Sequence, residues 1–428
     1  MKYIISTLGC KVNQYETQAM ETFLMEKGHE RAIPGELAEL IIVNTCAVTA
    51  ESGRKSRQTI RRLRDENPGA LVAVCGCYSQ IEPDAAEALG AEIVFGANLR
   101  TEFVEAIERK IQSGEGCRNI DAPFKRREFE LLPAGAMDHR TRAMLKIQDG
   151  CVNFCSYCII PYTRGPVRSA PLELAVEQAK GLAAEGFREI IVTGIEIASW
   201  GVDLPGKPGL DTLLTAVCEA GPQLRVRLGS LEPRVITEQF CAAMAKLPNL
   251  CPQFHLSMQS GCDTVLERMK RKYDTARYLE SVELLYKHFP GCAVTTDMIV
   301  AFPGETEEEF EQSLAFIEKC RFADMHVFPY SRRPGTPADK MPGQHSNAVK
   351  EDRSRRAIAV AEQMNKAYRE AMIGTKQEVL FEEEQDGMFA GHAPNYMKIY
   401  VKGKDLHNKI LTVSVEKIHK DGLFATEI

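Results

Sequence analysis

The 428-residue chain has no uninterrupted apolar run approaching the roughly eighteen residues that a membrane-crossing helix needs. Its opening segment, MKYIISTLGC, holds one lysine and a short apolar stretch. That is too little for a secretory leader, and the segment is expected to be the first strand of a cytosolic protein. An excess of positive charge is missing too: 53 Lys and Arg against 59 Asp and Glu leave a net charge of -6. No global field therefore draws the chain to nucleic acid. Basic residues do gather locally, at 54–64, 125–127 and 268–272, where solvated helix faces or loops are the commoner explanation. Internal repeats and low-complexity tracts are absent.

Cysteine, by contrast, is plentiful, at 14 residues. In a small secreted domain this would mean disulfides; in a long chain without a leader it points to reduced thiols, some of them ligands and others plain core. The length exceeds one usual hydrophobic core, so two or three domains are expected.

Residues 1–115 alternate apolar and amphipathic segments. Strands are predicted at 3–8, 40–43, 71–74 and 93–95, and helices at 14–27, 50–65, 83–89 and 102–112, with Asn13 and Glu16 as a capping box. This pattern builds an α/β domain with a doubly wound parallel sheet, flavodoxin-like in type. Residues 116–142 carry Gly, Pro and charge without period and are expected to be a linker. Over 143–368, strands are predicted at 144–148, 189–193, 226–230, 254–258, 294–300 and 325–330, six parallel units that fit an incomplete (β/α)6 barrel. A helix at 347–372 follows. Residues 373–428, with strands at 378–384, 396–402, 409–417 and 422–427, then read as a small antiparallel β-barrel.

Cys151, Cys155 and Cys158 lie in the loop DGCVNFCSYCIIP after the first predicted barrel strand, on the face where barrel enzymes place their chemistry. Structural zinc wants four ligands, usually as two separated pairs, and no matching pair follows nearby. Three thiolates can instead hold a 4Fe-4S cluster whose fourth iron stays open to a ligand. Elsewhere, Cys10, Cys46 and Cys77 each follow a predicted strand of the first domain. Taken singly, each is more readily a core residue, but carboxyl ends of adjacent parallel strands form the crevice where open α/β sheets bind ligands. Cys77, beyond Gly76, is assigned as the ligand, and Cys75, continuing the strand, as core or as support for it.

The string DGCVNFCSYCIIPYTRGPVRS resembles the signature of the radical S-adenosylmethionine (SAM) enzymes. With LGCKVNQYET at Cys10, VNTCAVT at Cys46 and GCYSQ at Cys77, the whole chain resembles the methylthiotransferase family within them. The resemblance implies an N-terminal domain whose Cys10, Cys46 and Cys77 hold an auxiliary 4Fe-4S cluster, a radical SAM barrel whose cluster sits on Cys151, Cys155 and Cys158, and a C-terminal TRAM domain that grips RNA. The lysine and tyrosine of GCKVNQYE, with TGIEIASWG, HLSMQSGCDTVLERMKRKY and FPYSRRPGTPADKMP, are most similar to the branch acting on N6-threonylcarbamoyladenosine at position 37 of tRNA. Other branches act on isopentenyladenosine or on a ribosomal-protein aspartate. The implied reaction places a methylthio group on carbon 2 of the adenine ring and uses two SAM molecules. It also needs an external one-electron donor such as a flavodoxin or ferredoxin, and a sulfur source, but no membrane.

SAM contacts are expected at the ends of later barrel strands, from Gly194, Glu196, Ser257, Gln259 and Ile299. Arg164 and Arg168 offer either a carboxylate or phosphate contact or an ion pair on the loop, and Arg332 and Arg333 are candidates for the threonylcarbamoyl group. Ala301 stands where the family pattern has glycine, so its methyl is expected to tighten the pocket near the SAM adenine. The C-terminal segment carries Glu382, Glu383, Glu384 and Asp386. RNA binding there would need Lys398, Lys402 and Lys404 on one face. The rival from another class is a non-catalytic, zinc-dependent RNA-binding module. A cobalamin-dependent methylase is disfavoured, since the first domain lacks an Asp-x-His-x-x-Gly motif.

Overall fold

The computed structural model describes residues 1–134 and 141–428. Strands β1 (Lys2–Thr7), β2 (Glu30–Arg31), β3 (Leu40–Thr45), β4 (Leu71–Gly76), β5 (Ile93–Phe95) and β6 (Cys117–Asn119) form one sheet in the order β2-β1-β3-β4-β5-β6. All its pairings are parallel. Helices α1 (Lys11–Glu26), α2 (Ala50–Glu66), α3 (Cys77–Ile81), α4 (Pro83–Glu87) and α5 (Arg100–Ser113) connect the strands. Alternation along β3 sends Leu40 and Ile42 to the face covered by α1 and α5, and Ile41 and Val43 to the face covered by α2 and α4. Both faces are thus buried, and the chain order reverses at the β1/β3 pair, the usual ligand crevice of such sheets.

Two expectations are corrected here. Residues 117–119, expected in a linker, pair with β5 as a sixth strand; three residues, two of them polar, carry no readable period. Asn13 and Glu16 do not cap a helix either. α1 starts three residues earlier with Cys10 at its N-cap, and Asn13 donates instead to the carbonyls of Leu8 (2.8 Å) and Thr45 (3.0 Å).

The central domain contains β7 (Arg142–Lys146), a ribbon of β8 (Gln148–Asp149) with β9 (Arg168–Ser169), then β10 (Glu189–Thr193), β11 (Arg225–Leu228), β12 (Ser230–Leu231), β13 (Gln253–Gln259), β14 (Ala293–Val300) and β15 (Asp324–Pro329). Two parallel sheets result, β11-β10-β7 and β12-β13-β14-β15. Only Gly229 separates β11 from β12, so the six long strands form one wall in chain order. Helices α6 (Ile160–Arg164), α7 (Leu172–Ala184), α8 (Leu210–Ala220), α9 (Glu238–Met244), α10 (Asp263–Arg268), α11 (Thr275–His288) and α12 (Glu307–Cys320) lie between the strands, and α13 (Asn347–Ala371) leaves the last one. Leu145, Val192, Val226, Leu256, Val294 and Met325 belong to one apolar core with the helices.

Strands β16 (Lys376–Gln385), β17 (Met388–His392), β18 (Lys398–Val401), β19 (Ile410–His419) and β20 (Gly422–Glu427) close into a barrel, β16-β17-β18-β20-β19. The expected all-antiparallel pairing is corrected, because β18 and β20 run parallel. β17 was not expected at all. Its Gly391 lets two backbones meet, since a Cβ there would stand 2.3 Å from the Leu380 carbonyl oxygen. This barrel docks on the central domain through Arg142 with Glu382 (2.6 Å) and through Arg227, which donates to the Pro394 carbonyl (2.8 Å).

A buried ion network joins the first two domains. Glu16 pairs with Arg164, with Arg100 (3.1 Å) and with Lys146 (3.1 Å), while Asp149 pairs with Lys146 (2.7 Å), Arg164 (3.2 Å) and Arg168 (3.5 Å). Burial alone would raise the Glu16 carboxyl, but Arg164, Arg100 and Lys146 hold it down at about 2. Arg164 is therefore consumed in holding the domains together, and Arg168 in an ion pair within its own domain. The expectation that they are open to a ligand is set aside.

Candidate active site

Cys10, Cys46 and Cys77 follow β1, β3 and β4, which are adjacent in the sheet. Cys10 is the N-cap of α1, and Cys77 opens α3 after Gly76, whose φ of 108° and contact with the Thr45 backbone exclude a side chain. A Cβ on Gly9 would lie 2.8 Å from the Cys46 sulfur, so the Cys10 and Cys46 loops touch only because residue 9 is glycine. Cys75 points the other way, into the core beneath α1 and α5. Burial pushes the Cys46 thiol up to about 11.

The second loop hangs between β8 and α6. Cys151 N donates to the Gly165 carbonyl (3.0 Å), Ser156 N to Met269 (3.0 Å), and Cys158 N to Cys155 (2.9 Å), fixing the turn that presents the thiols. Burial raises Cys151 to about 11 and Cys158 to about 12. Arg271, expected only as part of the solvated basic run at 268–272, places Nη1 3.1 Å from the Cys155 sulfur, Nη2 3.2 Å from the Ser257 carbonyl oxygen and Nε 2.9 Å from the Tyr273 hydroxyl. The run does not reveal this role, because the Cys155 partner is more than a hundred residues away in sequence.

The two loops face each other: Cys77 and Ile159, next to Cys158, share one buried apolar cluster. All 14 cysteines are free thiols. Among the described residues no three His, Cys, Asp or Glu side chains converge tightly enough for a single metal ion. A 4Fe-4S cluster spreads its thiolates over separate irons, so the all-thiol donor set of each loop region fits that group.

The expected SAM residues occupy neighbouring strand ends. Gly194 directly follows β10, and a Cβ there would crowd Gln148, 2.9 Å from its carbonyl oxygen. Glu196 N accepts its place from Gln148, donating to Oε1 at 2.8 Å, and its own carboxylate receives Ala198 N (3.1 Å) and the Ser199 hydroxyl. Burial and nearby Glu232 raise this carboxyl. Ser257 and Gln259 alternate with buried Phe254, Leu256 and Met258 on β13, and Gln259 ends the strand at φ 69°. Ile299 and Tyr157 of the cysteine loop pack against the same buried cluster. One level further from the cysteine loop, His255 meets Asp297 (3.4 Å) and Thr295 (3.0 Å). The polar alternation in QFHLSMQ and TTDMIV was the available signal for this inner stripe.

Ala301 has a left-handed backbone, φ 55°, and is fully buried. An L side chain at this φ carries backbone strain that glycine would not. Arg332 is exposed and paired with Asp339 (2.7 Å). Arg333 is buried, with Nε lacking a partner among the described residues, close to Gly53 and Tyr78. Of the tail lysines, Lys398 is engaged by Asp421 (3.1 Å), whereas Lys402 and Lys404 are exposed.

Parallel strands carrying a three-thiol loop at their carboxyl ends define the class of radical SAM enzymes, and residues 145–317 match the Radical SAM superfamily. Residues 2–96 match Uncharacterized protein family UPF0004. The chain is 39% identical to the threonylcarbamoyladenosine tRNA methylthiotransferase MtaB of Bacillus subtilis (strain 168), over 96% of this chain and 93% of that one. It is 33% identical to a tRNA-2-methylthio-N(6)-dimethylallyladenosine synthase of Finegoldia magna, over 96% and 92%. A solved radical SAM methyltransferase, TsrM from Kitasatospora setae, shares the fold with a TM-score of 0.58 at 14% identity, over 85% of this chain and 89% of that one. This chain belongs to the methylthiotransferase family of radical SAM enzymes, and it is an MtaB-type member that uses SAM and 4Fe-4S chemistry.

Proposed function

We propose that the enzyme methylthiolates carbon 2 of N6-threonylcarbamoyladenosine at position 37 of tRNA in the cytoplasm, using two SAM molecules and two 4Fe-4S clusters. Cys10, Cys46 and Cys77 would hold one cluster, and Cys151, Cys155 and Cys158 the other. Held there, the second cluster would supply one-electron reduction of SAM and the first would support sulfur insertion. The domains are a methylthiotransferase N-terminal domain (1–115, a boundary that β6 carries to 119), a linker, an incomplete (β/α)6 radical SAM barrel (143–368) and a TRAM domain (373–428).

One observation carries this reading. Lys11, next to Cys10, lines the same cavity as His255 and Asp297 inside the central wall, so a base in that cavity would lie between the first-domain thiol loop and the polar inner stripe of β13 and β14. An RNA base would have to be flipped out to enter it. Gly194, Glu196, Ser257, Gln259 and Ile299 would orient SAM above it, and Arg271 would hold the Cys155 sulfur. An external one-electron donor and a sulfur source complete the requirements.

The test is anaerobic incubation of reconstituted enzyme with SAM, reductant, sulfide and an anticodon stem-loop bearing N6-threonylcarbamoyladenosine, followed by nucleoside mass spectrometry. The methylthio nucleoside is expected. Modification of only the N6-dimethylallyl stem-loop, or of a ribosomal protein with RNA untouched, would overturn the substrate assignment.

A further inference from the structure

The substituent on the adenosine must be told apart from other N6 groups, and the cavity beside Cys10 has the chemistry to do so. Its volume is about 380 Å³, and its walls come from three directions: Lys11 from the first domain, Arg227 and the inner faces of β13 to β15 from the central domain, and Tyr396 from the C-terminal barrel. Its charges are unequal in availability. Arg227 is bound to Glu189 (2.7 Å) and stands over the ring of Tyr396 (4.6 Å). His255 is bound to Asp297 and Thr295. Lys11 is exposed to the cavity and has no carboxylate partner among the described residues. Asp297 and Asp324, on β14 and β15, would repel an anion and accept hydrogen bonds from N–H or hydroxyl groups.

His326 also lines the cavity, but it lies on β15 with Asp324, so an acidic guest matches these walls best with its carboxylate toward the ammonium of Lys11 and its neutral donors toward β14 and β15. We infer that Lys11 is a specificity-determining residue that pairs with a carboxylate on the N6 substituent of the target adenosine. This rests on the proposed function and adds to it the group that reads the substituent. An uncharged alkyl substituent would leave the ammonium unpaired in the cavity and be disfavoured. A second cavity, about 580 Å³, continues from Cys10 and Lys11 past Met144 to Glu382, giving the nucleotide a way in from outside.

The experiment uses reconstituted holoenzyme and two stem-loops, one with N6-threonylcarbamoyladenosine and one with its carboxyl methyl ester. Wild type should favour the acid in kcat/KM by roughly tenfold to a hundredfold, the worth of a charge-assisted hydrogen bond. K11Q should bring the ratio to near unity, mainly through KM for the acid, and K11R should restore much of it. Because both substrates are compared on one preparation, a loss of cluster or of fold lowers both rates and leaves the ratio readable. A K11Q ratio as large as that of wild type overturns the role of Lys11. If wild type modifies neither stem-loop, the proposed function fails and this inference with it; if wild type modifies both equally, only the inference falls.

Discussion

Replacing Glu16 by glutamine removes one negative charge from the buried contact between the first domain and the barrel. The side chain sits among Arg100, Lys146 and Arg164, none of them exposed to solvent. A carboxyl held at about 2 rather than at the ordinary 4.5 contributes about 3 kcal/mol at neutral pH. Removal of one member of a buried pair costs about 3–5 kcal/mol, a range that contains this contribution. For a cooperative unit of this size the thermal midpoint of iron-free E16Q should fall by about 5–10 °C in calorimetry at pH 7. The folded-state value lies below the unfolded one, so the stabilisation is present above about pH 4.5 and is lost as the pH falls toward about 2. The gap between wild type and E16Q should narrow over that window. A midpoint within about 1 °C of wild type at pH 7, or a gap that widens in acid, would refute the reasoning.

A301G should be more stable in urea by about 0.5–1 kcal/mol, the relief of left-handed strain less the entropy glycine loses; a lower midpoint would contradict this. G9A adds a Cβ 2.8 Å from the Cys46 sulfur, so reconstituted protein should lose iron at the first site and retain about four irons per chain. R271M removes a cationic N–H from the Cys155 sulfur, which should move the potential of the radical SAM cluster to more negative values in an EPR-monitored redox titration. An unchanged potential would show that the contact does not tune the cluster.

What could be read from the sequence was whatever is local or repeats along one strand. The spacing of Cys151, Cys155 and Cys158 needs no partner to be recognised, and strand alternation was enough to bring Cys10, Cys46 and Cys77 to one sheet edge. Contacts made across domains left no such trace. Glu16 looked like a helix cap because its neighbours Arg100, Lys146 and Arg164 are 84, 130 and 148 residues away. The positive φ of Ala301 was not legible, since nothing in TTDMIVAFPGET announces it. β17 escaped notice because MFAGH breaks the strand pattern with a glycine whose role is a close backbone approach. The polar stripe of β13 and β14 was visible as alternation, but its meaning depended on Lys11 closing the same cavity from another domain.

The central claim is that two facing three-thiol sites each hold a 4Fe-4S cluster. It is tested most directly by iron and sulfide analysis with Mössbauer spectroscopy on anaerobically reconstituted protein. Wild type should carry about eight irons per chain, and alanine replacement of either Cys10, Cys46 and Cys77 or Cys151, Cys155 and Cys158 should leave about four. About four irons in wild type with all six cysteines intact, or tetrahedral zinc in place of iron, would contradict it.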